Sequence, residues 1–413
     1  MDLFETLESN VRYYCRRWPA VFASARGAII TAEDGTQYLD FFAGAGALSY
    51  GHNNPALVEV AIEHLRAGRL THSLDTFTVE KRQFLEAMQR YVLAPRQLDM
   101  VVQMVGPTGA TAVEAALQLA QKVSGRRAVL GFEGSYHGMT YRASSISASM
   151  AGRAVSAHLG DFVALPYVER ATDEDLALLE RTLRTPVDGE AIGAVIIEPT
   201  QGEGGARAFD PQYLRAIRTI ADELGVVVIA DEVQAGVGRT GPFFSFEGSG
   251  LDPDIVCVSK SISGLGLPMA LNLIRRGLDS WGAGEFSGTF RGNNLAFATS
   301  ARMLETYWAD STLEKQTELN GRSVRNALET MSAAAGGDFA VRGNGLLCGL
   351  DVGDTRLAAD IASAAFERHL IVETCGAGDT TVKLLVPLTI DEDQLHDGLT
   401  RLGDAVASTC ADR

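Results

Sequence analysis

The 413-residue chain lacks several features that would place it in common protein classes. It contains no Gly-Lys dipeptide, which excludes the phosphate-binding loop G-x-x-x-x-G-K-[ST] of nucleotide hydrolases. No apolar run approaches the length needed to cross a bilayer, and the first residues, MDLFETLESNVRYYCRRWP, have no apolar signal core. We therefore expect a cytoplasmic protein.

Cysteine and positive charge are also scarce. The five cysteines lie far apart without C-x-x-C spacing, so the sequence predicts neither a metal site nor a disulfide framework. A net charge of −16 does not suit a surface for nucleic acid. With 46% hydrophobic and 21% charged residues, the composition is typical of a soluble globular enzyme. Small molecules and a second copy of the chain are the expected partners.

The stretch from Gly225 to Pro268 is the most informative part of the chain. Its two apolar runs, Val226 to Ala230 and Ile255 to Val258, are short and rich in β-branched residues, as expected for buried strands of a parallel sheet. The first run leads into Asp231, and the second leads to Lys260. Ligands of open α/β sheets bind at such strand ends.

An acid and an amine 29 residues apart, on neighbouring strand ends, suit pyridoxal phosphate. This cofactor bonds covalently to a lysine through its aldehyde, and a carboxylate keeps its ring nitrogen protonated. Taken singly, Asp231 could be a turn acid and Lys260 a solvated strand end. Together, in this setting, they favour the cofactor site.

Two loops upstream would complete such a site. Thr108, Gly109 and Ala110 precede a helix predicted from about Thr111 to Val123, where backbone N–H groups could hold a phosphate. A tight structural turn is the alternative. Tyr136 follows the next strand and could lie flat against a planar cofactor, or it could be a buried packing residue.

The combined motifs resemble the class III, or ω-type, pyridoxal-phosphate aminotransferases over nearly the whole chain. The segments IIEPTQGEGG, VIADEVQAGVGRTG, the Lys260 region and GTFRGNN stand in that family's order. The resemblance implies an α/β fold of type I, with a mostly parallel seven-stranded sheet and a smaller α+β domain. Residues 1–55 are expected to form an N-terminal arm and part of the small domain, 56–300 the large cofactor domain and 301–413 the C-terminal small domain.

The resemblance also implies roles for individual residues. Lys260 is expected to bond to the cofactor, Asp231 to partner its ring nitrogen, and Gln234 to lie beside the ring hydroxyl. The remaining expected cofactor contacts are Thr108, Gly109, Ala110, Tyr136, His137, Glu198 and Thr289. Because Thr289 matches the residue that reaches the phosphate of the other subunit, a homodimer with interfacial active sites is expected, with pairing of two dimers as an option.

Within the family, VRYYCRRWP, FFAGAGALSYGHNNP and SKSISGLGLPMA are similar to the branch that transfers an amino group from L-glutamate to L-aspartate 4-semialdehyde, giving L-2,4-diaminobutyrate for ectoine synthesis or as a building block. Met139 stands where relatives that use γ-aminobutyrate have an arginine, which argues against that substrate. Lys383 stands where many relatives have an arginine for the glutamate carboxylate, opposite Glu203. Arg16 or Arg17 is expected to bind the other carboxylate.

Some positions depart from that branch. Ala110-Thr111 stands where Thr-Asn is usual, and Phe286-Ser287 replaces His-Asn. Another diamine or ω-amino acid therefore stays open as the substrate. Aminomutase, racemase and decarboxylase chemistry on the same fold, and a non-catalytic cofactor-binding protein, are the further alternatives.

Overall fold

The computed structural model describes residues 2–149 and 161–411. Its strands are β1 (Phe22–Arg26), β2 (Ile29–Ala32), β3 (Gln37–Asp40), β4 (Met100–Met104), β5 (Ala128–Phe132), β6 (Phe162–Leu165), β7 (Ile192–Ile197), β8 (Thr200–Gln201), β9 (Arg207–Ala208), β10 (Val227–Asp231), β11 (Ile255–Val258), β12 (Leu271–Arg275), β13 (Ala340–Asn344), β14 (Leu347–Asp351), β15 (Leu370–Ile371), β16 (Glu373–Cys375) and β17 (Thr381–Leu385).

The helices are α1 (Asp2–Leu7), α2 (Tyr14–Arg17), α3 (Ala43–Gly46), α4 (Pro55–Arg66), α5 (Val79–Ala87, continued by a π-helical segment Met88–Leu93), α6 (Gly109–Ser124), α7 (Tyr141–Ile146), α8 (Asp173–Arg184), α9 (Pro211–Leu224), α10 (Asn294–Tyr307), α11 (Thr312–Ala334), α12 (Thr355–Glu367) and α13 (Glu392–Ala411). Short 3-10 turns occur at Lys260–Ser263, Arg276–Leu278 and Ala377–Asp379.

A seven-stranded sheet forms the centre of the molecule, in the order β4-β12-β11-β10-β7-β5-β6. Only β12 runs antiparallel to its neighbours, so the predicted mostly parallel α/β sheet is confirmed. β10 and β11 are adjacent and parallel, with Asp231 level with Cys257. The two predicted strand ends therefore meet at one edge of the sheet.

Both faces of the central strands are buried, as their unbroken apolar sequences predict. Along β10, Val228 and Ala230 pack into the large core on one face, whereas Val227 and Ile229 pack into a second core on the other. The helix α6 covers the second face through small residues such as Ala112 and Ala116. These small side chains let the helix approach the sheet closely.

The helix α6 begins at Gly109, two residues before the predicted start. The reason is the side chain of Thr108, whose Oγ1 accepts a hydrogen bond from the backbone N–H of Thr111 at 3.2 Å and caps the helix. The helix ends at Ser124, and the next residue, Gly125, has a φ of 69° in the left-handed region that favours glycine.

The N-terminal and C-terminal parts of the described chain share a β-sheet. β15 pairs in parallel with β3, which adds a C-terminal strand to the N-terminal sheet β1-β2-β3-β15. A separate antiparallel sheet, β13-β14-β17-β16, follows in the C-terminal part. The boundary expected at residues 300 and 301 falls inside α10, which packs against α4 and α5. The division into 1–55, 56–300 and 301–413 stays a proposal.

Within residues 2–149 and 161–411, no helix combines the length and the apolar character required to span a bilayer.

Candidate active site

Lys260 lies two residues beyond the end of β11, at the start of the turn Lys260–Ser263. Its φ of 52° is unusual for a residue with a side chain, and such backbone conformations cluster at functional sites. The charges that act on its amine come from Glu203, Lys383, Glu373 and Asp231. Loss of water around the half-buried amine lowers the pKa of Lys260, an effect that the charge of Lys383 reinforces and that of Glu203 opposes.

Asp231 is held in place at the end of β10. Its Oδ1 accepts a hydrogen bond from the backbone N–H of Val233 at 3.1 Å, and its Oδ2 lies 2.7 Å from Nδ1 of His137. Both side chains are buried. Burial disfavours the charged imidazole, but the hydrogen bond and charge of Asp231 outweigh burial and raise the pKa of His137. His137, expected among the cofactor contacts, thus directly positions the acid.

The turn before α6 has free backbone donors and closely packed glycines. Among the described residues, the backbone N–H groups of Gly109 and Ala110 donate no hydrogen bond. A Cβ on Gly109 would lie 2.7 Å from Cγ1 of Val233, and one on Gly138 would lie 2.4 Å from Cβ of Ala110. Any side chain at Gly109 or Gly138 would therefore disturb the backbone at the start of α6.

Glu198 contacts the backbone at Tyr136, close to His137 and Asp231. The Oε2 of Glu198 accepts a hydrogen bond from the backbone N–H of Tyr136 at 3.0 Å, and its Oε1 accepts one from Gly202 at 3.4 Å. Burial raises the pKa of Glu198 to about 7, with the charge of Asp231 adding to the rise and His137 opposing it. Burial also raises the pKa of the half-buried Tyr136.

Lys383 lies at the centre of a buried charged cluster. Its Nζ donates to Oε1 of Glu203 at 2.7 Å and lies 3.0 Å from Oε1 of Glu373, although the latter contact is not in hydrogen-bond geometry. Burial opposes ionisation of Glu203, but the charges of Lys383 and Lys260 outweigh it and lower the pKa of Glu203 to about 2. Burial likewise opposes the charged amine of Lys383, yet the two carboxylates raise its pKa.

Gln234 joins this cluster. Its Nε2 donates to Oε1 of Glu203 at 3.1 Å and to the carbonyl oxygen of Ala45 at 3.2 Å. A Cβ on Gly202 would lie 1.6 Å from Oε1 of Gln234, so a side chain at residue 202 would displace the Gln234 amide from its present position. Gln234 thereby orients the side chain that pairs with Lys383.

Arg16 and Arg17, the two candidates for binding a substrate carboxylate, have different surroundings. Arg17 donates to Oγ1 of Thr374 at 2.5 Å and lies 3.8 Å from Oδ2 of Asp379, beside the Lys383 cluster. Arg16 is exposed and donates to the carbonyl oxygen of Asn10 at 3.0 Å. Of the two candidates, the structure brings Arg17 to the site.

Thr289 lies apart from the other expected cofactor contacts, in an exposed loop. Its carbonyl oxygen is 2.6 Å from Nε2 of His72. The expected role of Thr289 toward another subunit stays a prediction.

Glu373 is the functional candidate that sequence reasoning missed. It lies in β16, directly opposite Lys383 of β17 in the antiparallel register. An acid inside the apolar run LIVETC, matched by a lysine inside TVKLLVPL, was the available signal. Only strand pairing reveals that the two charges face each other.

The residues present fit pyridoxal phosphate. The amine of Lys260, the positioned carboxylate of Asp231 and the open N-terminus of α6 lie at one edge of the central sheet and match the aldehyde, ring nitrogen and phosphate of this cofactor.

Comparison with known proteins agrees with this geometry. A family model described as Aminotransferase class-III matches residues 14–406. A diaminobutyrate–2-oxoglutarate transaminase of Nocardia farcinica is 48% identical over 413 residues, covering 99% of this chain and 94% of that protein. Another of the same name, from Streptomyces anulatus, is 45% identical and covers 99% of this chain and 98% of its own length.

Solved structures share the fold at lower identity. The ornithine aminotransferase of Toxoplasma gondii is 24% identical, with a TM-score of 0.86, over 100% of this chain and 95% of that one. An aminotransferase of Bacillus anthracis is 22% identical, with a TM-score of 0.88, over 98% of this chain and 97% of that one.

The contact between His137 and Asp231 predicts a pH-dependent stability. In His137→Asn, a neutral amide replaces the imidazole, and we expect a loss of about 1 to 3 kcal/mol at pH 6. Because the pKa of His137 is raised in the folded state, this contribution is complete below the unfolded value of about 6.5 and is lost as the pH rises through the folded pKa. Urea unfolding of the parent and of His137→Asn from pH 6 to 9 measures the difference in the free energy of unfolding.

The matched control is His396→Asn, which changes an exposed histidine and should leave stability unaltered at each pH. A stability difference between His137→Asn and the parent that is constant over the pH range would contradict the assigned contact.

Proposed function

We propose that this chain, which belongs to the class-III aminotransferases, transfers an amino group between L-glutamate and the terminal carbon of L-aspartate 4-semialdehyde, producing 2-oxoglutarate and L-2,4-diaminobutyrate. It is a pyridoxal-phosphate-dependent transaminase. The assignment rests on one observation: the same site contains the strand ends that lead to Asp231 and Lys260 and the ion pair between Lys383 and Glu203. Relatives of the same name match the chain over nearly its whole length.

When bound, pyridoxal phosphate supplies the aldehyde that takes up the amino group and the ring that accepts electrons from the reacting carbon. The chain itself supplies the proton chemistry. Because the pKa of Lys260 is lowered, its Nζ has a larger neutral fraction with which to take a proton from the substrate carbon that carries the amine. Asp231, held by His137 and Val233, would hold the ring nitrogen of the cofactor through its carboxylate.

The two amine substrates differ beside the reacting carbon. In glutamate a carboxylate is attached to that carbon, whereas in diaminobutyrate the reacting terminal carbon carries none. The Glu203–Lys383 pair suits both cases: intact, it presents no net charge, and rotation of the Glu203 side chain would free the ammonium for a carboxylate. Arg17, half-buried beside Thr374 and Asp379, would bind the distal carboxylate.

The reaction is tested with a panel of amine donors. With 2-oxoglutarate as acceptor, we expect diaminobutyrate to give glutamate faster than ornithine, lysine, β-alanine or γ-aminobutyrate. Lys260→Ala should lower turnover by about a thousandfold, since it removes the proton-transfer group. The exposed Lys315→Ala is the matched control and should retain full activity. Racemised or decarboxylated products without glutamate would contradict transamination.

Lys383→Met tests how glutamate is distinguished from diaminobutyrate. This replacement keeps an unbranched side chain that is one atom shorter and removes its charge, so we expect glutamate to lose about 10- to 100-fold in kcat/KM, from the 1.5 to 3 kcal/mol of a charged hydrogen bond. Diaminobutyrate should lose less than about threefold. The rate at which each amine alone changes the absorbance of the bound cofactor measures both values. Equal losses for the two amines would refute this role.

We also propose that the chain acts as a homodimer. An exposed apolar patch is formed by the side chains of Leu70, Leu74, Phe77, Val79 and Phe290. His72 joins its two segments, since its ring contacts that of Phe290 and its Nε2 lies 2.6 Å from the carbonyl oxygen of Thr289. Phe77 is fully exposed in the single chain, and contiguous apolar surface of this kind marks interfaces.

This patch neighbours Thr289, the residue expected to reach the other subunit, so a second copy of the chain is its proposed occupant. Pairing of two dimers and a cytoplasmic location remain expectations from the sequence.

Sedimentation measurements test the dimer. The parent protein should sediment as a dimer, and Phe77→Asp should shift it toward monomer, because a charge would be buried in an apolar contact. Leu319→Asp, which changes another exposed apolar residue, serves as the control. A Phe77→Asp protein that stays dimeric at the same concentration would exclude this patch as the interface.

A further inference from the structure

Glu373 has a position that differs from that of Glu203, although both carboxylates contact the same ammonium. Glu373 stands on β16 directly across from Lys383 on β17, and side chains of directly opposite residues share one face of a sheet. Backbone hydrogen bonds of the sheet therefore fix this contact. Glu203 lies between the short strands β8 and β9, and its side chain is 28% exposed, compared with 3% for Glu373. Lys383 thus has one fixed and one displaceable acidic partner.

Apart from Lys260, whose amine is expected to bond to the cofactor, the cluster contains one more acid than its ammonium can neutralise. Burying two ionised carboxylates around a single cation leaves a net negative charge out of water, which is costly. The hydrogen bonds indicate which acid is ionised, since Glu203 accepts from both Lys383 and Gln234, whereas the Lys383 contact of Glu373 lacks hydrogen-bond geometry. Glu373 is therefore the acid that carries the proton when Lys383 and Glu203 are paired.

The titration behaviour of the three groups agrees with this assignment. Burial raises the pKa of Glu373 to about 7, the charge of Glu203 adds to the rise, and that of Lys383 opposes it. Glu203, with a pKa lowered to about 2, stays ionised at neutral pH. The raised pKa of Lys383 keeps the amine charged.

The other groups that act on Glu373 come from three directions. Lys260 faces it from the central sheet, and Cys375 lies on its own strand. Tyr13 and Tyr14 face it from the N-terminal segment. Burial raises the pKa values of the Cys375 thiol and the Tyr14 hydroxyl, so both stay neutral over the range in which Glu373 titrates.

We propose that Glu373 determines the specificity for glutamate. Because Glu373 holds a proton, the charge of Lys383 remains available to the carboxylate that lies beside the reacting amine of glutamate. When Glu373 is ionised, its negative charge is held opposite Lys383 and cancels the charge of the ammonium. Rotation of Glu203 then exposes a Glu373–Lys383 pair without net charge. Glutamate binding weakens, whereas a terminal amine such as that of diaminobutyrate does not use this charge. The inference rests on the proposed function of the Glu203–Lys383 pair.

The first test uses the holoenzyme and glutarate, a dicarboxylate without an amine, as the probe. Its inhibition constant against glutamate should rise by about 20-fold between pH 6.5 and 8.5, the change expected for a carboxyl that titrates near pH 7. An inhibition constant that is unchanged over this range overturns the proposal without any variant.

The second test is Glu373→Gln, which keeps the shape of the side chain and cannot ionise. In this variant the glutarate inhibition constant and the KM for glutamate should differ by less than about twofold between the two pH values, while kcat keeps the parental pH profile. For diaminobutyrate, the ratio of the kcat/KM of the variant to that of the parent should be the same at pH 6.5 and pH 8.5. Parallel pH profiles of parent and variant for glutamate would overturn the proposal.

Two controls separate this outcome from other effects. Glu198 titrates in the same range, but it lies beside His137 and Asp231 and remains in the variant, so its effect cancels between parent and variant. Glu174→Gln changes an exposed acid and should keep the parental profile. If diaminobutyrate is not a donor, the proposed substrate fails, while glutarate and glutamate still report on Glu373.

Discussion

The parallel pairing of β10 with β11 is the contact on which the rest of the site depends. It places Asp231 level with Cys257, and the chain continues from there into the turn that carries Lys260. Both strands are buried on both faces, so a shift in register would move apolar side chains between two packed cores. The relative position of acid and amine is therefore protected by most of the apolar core.

Charge balance is the second constraint. The site buries several acids with few cations, and each acid is stabilised in its own way: Asp231 by His137, Glu203 by Lys383, and Glu373 by retaining a proton. In a region with little water these arrangements are coupled, because moving one charge changes the proton affinity of its neighbours. Such coupling suits a site that must accept substrates with and without a carboxylate at the reacting carbon.

The site also depends on chain ends that are distant in sequence. β15 extends the N-terminal sheet, and Arg17 of α2 contacts Thr374 of β16. The N-terminal and C-terminal segments consequently form one wall of the site, facing the strand ends of the central sheet. Opposed groups on two walls allow the distal and reacting ends of a substrate to be bound separately.

The sequence by itself determined the central sheet, the strand-end positions of Asp231 and Lys260, and the turn that leads into the helix at Gly109, because strand patterns, glycine turns and strand-end charges are local signals. Tertiary structure decided which groups meet: that His137 positions Asp231, that Arg17 rather than Arg16 reaches the site, and that Glu373 faces Lys383. These contacts arise from strand pairing and packing between distant segments. No local pattern encodes the register that brings a buried acid opposite a buried lysine.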